Sequence, residues 1–326
     1  MIDRIQPGQI TRRRFISLTA AFGAVSLGSG AVSSAPHARA IRWQGVVMGA
    51  AAEIIIHHPD PVLARRLIAN SIAEVDRLEN IFSLYRPGSE LVGLNNTGHL
   101  DRPSHDLLRL LSLSREIATL SDGAFDVSVQ PLWQLYADHF GRFGSDAAGP
   151  DIQKIAAACA MVDYRAISFD ARAVRLDKPG MALTFNGIAQ GYITDRVADI
   201  LRGGGLDHVL ANMGEISATG GAAKGPWKVK SRATGGVLEI TDGAVATSEG
   251  AGTRFDASGR HHHLLDPHSG QSAVYYDCVT VLAKDAATAD ALSTALYMLP
   301  PGRAQLLLAA LPGTRAYFGS KESSRG

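Results

Sequence analysis

Strand-like and helix-like segments follow one another in this chain without a repeating strand–helix–strand unit. That pattern predicts an α+β fold, with mixed or antiparallel sheets and helices packed on them. Two observations carry the class. Residues 62–82 and 286–298 read as long helices, whereas 208–281 breaks into short β-like runs punctuated by glycine. No Gly-x-Gly-x-x-Gly follows a first strand, and Gly203-Gly204-Gly205 closes a helix rather than opening one, so a dinucleotide-binding parallel sheet is excluded. A Walker A sequence and a Gly-x-Ser-x-Gly elbow are also missing.

In order, residues 41–58 alternate and then run apolar through Ile54-Ile55-Ile56, which reads as strand until Pro59-Asp60-Pro61 breaks it. From 62 to 82, Leu63, Leu67, Ile68, Ile72, Val75, Leu78 and Phe82 recur at three- and four-residue steps, with charged residues between them, as in an amphipathic helix. Ser104 caps a second helix through Leu107, Leu111 and Ile117, ending near Asp122-Gly123. The Gly- and Asp-rich stretch 141–150 reads as a surface loop, and 166–169 with 173–176 as a hairpin. Gly187 starts a helix through Tyr192, Val197 and Leu201. A last helix covers 286–298, and Pro300-Pro301 ends it.

The chain has 326 residues, 46% hydrophobic and 19% charged, with 32 Lys+Arg against 31 Asp+Glu. That balance suits a sizeable core and speaks against a nucleic-acid binder, which needs a basic surplus. Cys159 and Cys278 are too few for a disulfide scaffold and match no zinc spacing. Thr11-Arg12-Arg13-Arg14-Phe15-Ile16, an uncharged stretch to Ala38 and the small-x-small site Ala38-Arg39-Ala40 read as a twin-arginine export signal. Residues 1–40 are therefore expected to be signal and 41–326 a single exported, periplasmic domain. Removing 1–40 takes away five Arg and one Asp, leaving 27 basic and 30 acidic residues.

Four segments carry chemistry. Gly187-x-x-x-Gly191 at a helix start would let backbone approach a ligand and offer N–H groups to an anion, but short glycine spacings are common, and on these residues alone a packing glycine is the better reading. Asp290, Ser293 and Thr294 fall at i, i+3 and i+4, a hard-oxygen set suited to Mg²⁺, or else a polar helix face. Tyr85 and Phe125 are candidates to stack a planar ring, or core aromatics. His261-His262-His263 is either a metal or acid–base cluster or an idle turn.

Taken in order, Met48-Gly49, Ser83-Leu84-Tyr85, Gly123-Ala124-Phe125-Asp126, Gly187-Ile188-Ala189-Gln190-Gly191-Tyr192, the His263-x-x-Asp266-Pro267-x-x-Gly270 turn and Ala289-Asp290-Ala291-Leu292-x-Thr294-Ala295 resemble the ApbE family, the FAD:protein FMN transferases. The resemblance runs from about Met48 to Leu299 and implies that family's flavin-transferase fold. The Leu183–Gly191 version of the third segment and the export signal look most like the NosX branch, associated with nitrous-oxide reduction and the membrane flavoprotein NosR.

The resemblance implies an enzyme with FAD as substrate. A Thr or Ser hydroxyl of an acceptor flavoprotein, within a Ser/Thr-Gly-Ala-Thr-like segment, attacks the FMN-side phosphorus and AMP leaves. It carries over Met48, Tyr85, Ala124, Phe125, Asp126, Thr184 and Gln190 as FAD contacts, and Asp290, Thr294, Ser293 and the Gly187 carbonyl as the Mg²⁺ set. His263 becomes the catalytic residue. At Thr184 and Gln190 the family often has Asp and Lys, so a charge of each sign is replaced together. Two alternatives stay open at this stage: a periplasmic FAD-binding or FAD-hydrolysing protein, and a non-catalytic metalloenzyme assembly factor that holds metal on its histidines.

Overall fold

The apolar run Ile54-Ile55-Ile56 lies in a sheet covered on both faces, which is why it does not alternate. In the computed structural model, which describes residues 40–222 and 225–320, the expected first strand is a hairpin, β1 (Ala40–Val47) and β2 (Ala50–His57). Met48 and Gly49, with φ of 49° and 83°, make its two-residue turn, the positive-φ pair that matches strand twist. Then follow α1 (Pro61–Phe82), α2 (Glu90–Thr97), β3 (His99–Asp101), α3 (His105–Leu120), α4 (Gln130–Phe140), α5 (Ile152–Cys159), β4 (Ile167–Phe169), β5 (Ala173–Leu176), α6 (Ala189–Gly203), β6 (Val209–Asn212) and β7 (Ile216–Thr219). The chain ends with β8 (Trp227–Ser231), β9 (Gly236–Ile240), β10 (Gly243–Glu249), β11 (Cys278–Ala283), α7 (Ala286–Met298), α8 (Pro301–Ala309) and β12 (Arg315–Gly319). The export signal lies outside the described residues, apart from Ala40.

The main sheet runs β1-β2-β6-β7-β10-β11-β12, every pair antiparallel. Ile54, Ile56, Val209, Ala211, Ala244, Ala246 and Val281 face the helical core. Ile55, Leu210, Ala218 and Val245 face the β8–β9 ribbon, which packs Trp227, Val229, Leu238 and Ile240 onto them. The expected α+β class is the observed one. Two helix boundaries differ from the sequence reading. Pro300-Pro301 ends α7 but also begins α8, because proline is tolerated at a helix start, where its missing N–H goes unused. Gly187 precedes α6 rather than opening it; Ile188, at φ −157°, is the N-cap.

One register detail positions the site. Glu53 pairs with Asn212 and Ile216 with Val245, so the β6–β7 hairpin stops there. Its neighbours continue past it, β2 back to Ala50 and β10 on to Glu249. The sheet is thus notched two strands wide, and the freed edge of β10 faces the notch.

Candidate active site

The notch opens into a cavity of about 1050 Å³. Of the residues expected at a site, Ala124, Phe125, Asp126, Thr184, Gly187, Gln190, His263, Asp290 and Thr294 line it, drawn from four parts of the chain. Tyr85 lines a smaller cavity of about 230 Å³, which shares Trp133 and Asn186 with the large one. Met48 lines neither; its side chain packs on the core and its N–H donates to Glu79 Oε1 at 2.6 Å.

The centre of the site is the crossing of α6 and α7. A Cβ placed on Gly191 would lie 2.2 Å from Ala286 O and 2.7 Å from Ala287 Cα, so only glycine allows the two backbones this close. The helices cap one another. Gly191 N–H donates to Asp290 Oδ2 at 3.0 Å, and Ala286 and Ala287 N–H donate to Asp195 at 2.8 and 2.9 Å. The anion-binding reading of this helix start needs correction, because Ile188 and Ala189 N–H are spent on Phe185 O and Gly191 N–H on Asp290.

Asp290 is buried, and burial pushes its carboxyl well above the usual range, with Asp195 adding repulsion and the Gly191 N–H opposing. Glu215 is raised by burial and by Asp290 itself. Its carboxylate takes the N–H of Thr247 at 3.2 Å, standing in for the strand that the notch removes. Glu215 was not a sequence candidate; its signal, an acid beside Gly214 in a tight turn, is visible only once the register is known.

Gly187 touches the same centre. A Cβ there would lie 3.0 Å from Thr294 Oγ1 and 3.5 Å from Phe125, so its backbone sits against both. Thr294 Oγ1 is 3.2 Å from Ser248 Oγ on β10. Ser293 leaves the expected metal set. Its hydroxyl donates to Asp290 O at 2.9 Å and meets Ser248 at 2.7 Å, and the residue is buried without lining the cavity. Among the described residues no three His, Cys, Asp or Glu side chains gather as a metal cage. Asp290 and Thr294 with the Gly187 carbonyl are a different donor set, one carboxylate and two neutral oxygens, which suits an ion that keeps water and phosphate ligands.

The three histidines do not converge. His261 lies among Tyr136, Phe140 and Phe255, His262 is buried with its Nε2 on Ala273 O at 3.0 Å, and His263 faces the cavity. A histidine metal cluster is therefore corrected to one site residue and two packing ones. His263 Nδ1 meets Thr253 O at 3.1 Å. A carbonyl only accepts, so Nδ1 carries the proton and Nε2 keeps a lone pair. Burial lowers the pKa of His263, which keeps the ring neutral.

The remaining candidates have structural duties as well. Asp126 accepts from Ser128 N and Oγ at 2.8 and 2.6 Å and from Tyr164 N at 2.9 Å. The Thr184 hydroxyl accepts from Asn186 N at 3.2 Å. The Gln190 amide lies where a Cβ on Gly214 would be, 2.7 Å away, and Gly214 has a φ of 112°.

The ApbE family model matches residues 48–318. The chain belongs to the ApbE family. Among its relatives, an FAD:protein FMN transferase of Klebsiella pneumoniae is 30% identical over 274 residues, 80% of this chain and 83% of that protein. One from Treponema pallidum is 30% identical over 271 residues, covering 74% and 73%. The solved flavinyl transferase ApbE of Pseudomonas stutzeri, in its apo form, superposes with a TM-score of 0.75 at 27% identity, covering 86% of this chain and 93% of that one. This ApbE-family chain is thus an enzyme of the flavin-transferase class, with that family's fold. None of the described helices is long and apolar enough to cross a membrane.

Proposed function

We propose that this enzyme, an FAD:protein FMN transferase by family, moves FMN from FAD to a Ser or Thr hydroxyl of an acceptor flavoprotein and releases AMP, with Mg²⁺ required. The observation that carries the reading is a run of contacts along the cavity wall: Phe125, the Gly187 backbone, Thr294 and Ser248. An aromatic ring beside a hard-oxygen set suits a flavin joined to a diphosphate.

Asp290, Thr294 and the Gly187 carbonyl would hold Mg²⁺, which as a Lewis acid supplies charge neutralisation on the diphosphate. The acids Asp126, Glu215, Glu249 and Asp290 against the cations Lys230 and Arg232 make the cavity wall a poor host for a bare diphosphate, and this supports a requirement for a bound cation. Phe125 flanks the flavin, with Tyr85 reached through Trp133 and Asn186. His263, neutral and with Nε2 free to accept, takes the proton of the attacking hydroxyl. The acceptor is a protein with a Ser/Thr-Gly-Ala-Thr-like segment, membrane-bound and NosR-like, which the NosX-like segments support. Export of this enzyme to the periplasm by the twin-arginine route follows from residues 11–40.

The test incubates the purified chain with FAD, Mg²⁺ and a soluble acceptor domain carrying that segment. Fluorescent flavin should stay on the acceptor through denaturing electrophoresis, and chelation of Mg²⁺ should abolish it. AMP release without labelled acceptor would support a hydrolase instead.

A further inference from the structure

Among the described residues, the charged cavity lining contains the acids Asp126, Glu215, Glu249 and Asp290 and only two permanent cations, Lys230 and Arg232. Both cations are on the β8–β9 ribbon, at its end over the notch. Arg232 Nη1 donates to Glu249 Oε2 at 2.8 Å; the arginine side chain is 64% exposed and the glutamate 10%. Glu249 is the last residue of β10 and the neighbour of Ser248, whose hydroxyl touches Thr294. In an intact sheet, adjacent residues of a strand would serve opposite faces. Here the notch lets both Ser248 and Glu249 open into one cavity.

Contacts thus link Phe125, Gly187, Thr294 and Ser248 in that order, and Arg232 joins the run through Glu249, the residue that follows Ser248 on β10. The aromatic end suits the flavin and the middle suits the diphosphate. In that order the guanidinium comes after the oxygens that suit the diphosphate, and the Phe125 ring before them. Glu249 occupies one N–H of Arg232, and the planar fork has further donors to offer.

We infer that Arg232 is a catalytic residue, held by Glu249 at the AMP end of the cavity to neutralise the charge that develops on the leaving phosphate. The inference rests on the transfer reading above. In that step the acceptor hydroxyl oxygen bonds to the FMN-side phosphorus. The bond from that phosphorus to the bridging oxygen breaks, and its electron pair stays on the AMP phosphate. The hydroxyl proton passes to His263 Nε2. A donor that meets charge only as it forms lowers the barrier without tightening FAD binding to the same degree. Glu249 acts through Arg232 and is a positioning residue.

The test measures single-turnover FMN transfer to the soluble acceptor domain under Mg²⁺ and saturating FAD, with AMP release by chromatography, FAD affinity by fluorescence, and thermal melting. Removal of one such donor costs on the order of 10²–10³-fold in turnover. Arg232→Ala should lose about that much, keep FAD affinity within a few-fold and melt as the parent does. Added guanidinium should restore part of the rate, which a merely structural role would not allow. Arg232→Lys, which keeps the charge but not the fork, should fall between. Parental transfer by Arg232→Ala overturns the inference. So does joint loss of transfer and FAD binding without response to guanidinium. A parental chain that releases no AMP overturns the transfer reading itself, and the inference with it.

Discussion

Gly191→Ala sets two physical rules against each other. Gly191 is the third residue of α6, and alanine is the better helix former by about 1 kcal/mol, so local propensity predicts stabilisation. The tertiary structure predicts the reverse. The new Cβ would lie 2.2 Å from Ala286 O, 2.6 Å from Ala286 C and 2.7 Å from Ala287 Cα, all backbone atoms that cannot rotate away. The helices must separate, which stretches three hydrogen bonds to carboxylates: Gly191 N–H to Asp290, and Ala286 and Ala287 N–H to Asp195. Bonds to charged groups contribute roughly 1.5–3 kcal/mol each and overpacking costs about 1–3 kcal/mol, so partial loss outweighs the propensity gain. The expected net destabilisation is about 3–5 kcal/mol, out of a typical 5–15. At about 2–4 °C per kcal/mol, Tm should fall by roughly 10 °C. Thermal melting followed by circular dichroism reads this directly. Mg²⁺-dependent transfer, measured well below the new Tm, should fall too, because Asp290 moves relative to Gly187. A Tm equal to or above that of the parent would refute the close-crossing argument and leave propensity as the better account.

The other predictions concern chemistry and export. Asp290→Asn should retain much of the fold, since its amide oxygen still accepts from Gly191 N–H, but lose Mg²⁺-dependent transfer; parental turnover would remove Asp290 from the metal set. His263→Ala should bind FAD in fluorescence titration yet transfer FMN ~10²–10⁴-fold more slowly, whereas His261→Ala should keep turnover and His262→Ala should lower Tm. Because burial lowers the pKa of His263 below its ordinary 6.5, the basic form already predominates at neutral pH. With Mg²⁺ saturating, so that Asp290 is held ionised, kcat/KM should be flat near pH 7 and fall as pH drops through that lowered pKa; because burial pushes the Asp290 carboxyl up to about 7 without the ion, only a rise above pH 7 that persists at saturating Mg²⁺ would point to another base. Replacing Arg12 and Arg13 together by Lys should leave the protein in the cytoplasm, as cell fractionation would detect.

Much of the fold was legible because its signals are local. The α1 stripe, the Ser104 cap and the α7 segment each depend on residues within a turn or two of one another. The Met48-Gly49 turn was not legible as such. Methionine is an uncommon residue at positive φ, and its N–H is held by Glu79, which lies 31 residues on. Short α2, α4 and α5 were missed for a related reason. Tyr136 and Phe140 of α4 pack on Phe255, more than a hundred residues on, so α4 is supported from outside its own sequence.

The sequence by itself determined which residue types meet chemistry here. A carboxylate and a hydroxyl one helical turn apart, a glycine-spaced helix start and an ordered set of motifs can all be read along one dimension. What only the tertiary structure decided is which of them face the cavity. Three consecutive histidines point into three environments, since backbone direction and neighbouring elements, not composition, orient a side chain. Ser293 is buried, its hydroxyl taken by Asp290 O and Ser248, while Thr294, one residue on, also reaches Ser248 but lines the cavity. Glu215, Glu249 and Arg232 had no motif to mark them. They line one cavity beside a β6–β7 hairpin that stops short of its neighbours, and strand register is set by pairings between segments far apart in the chain.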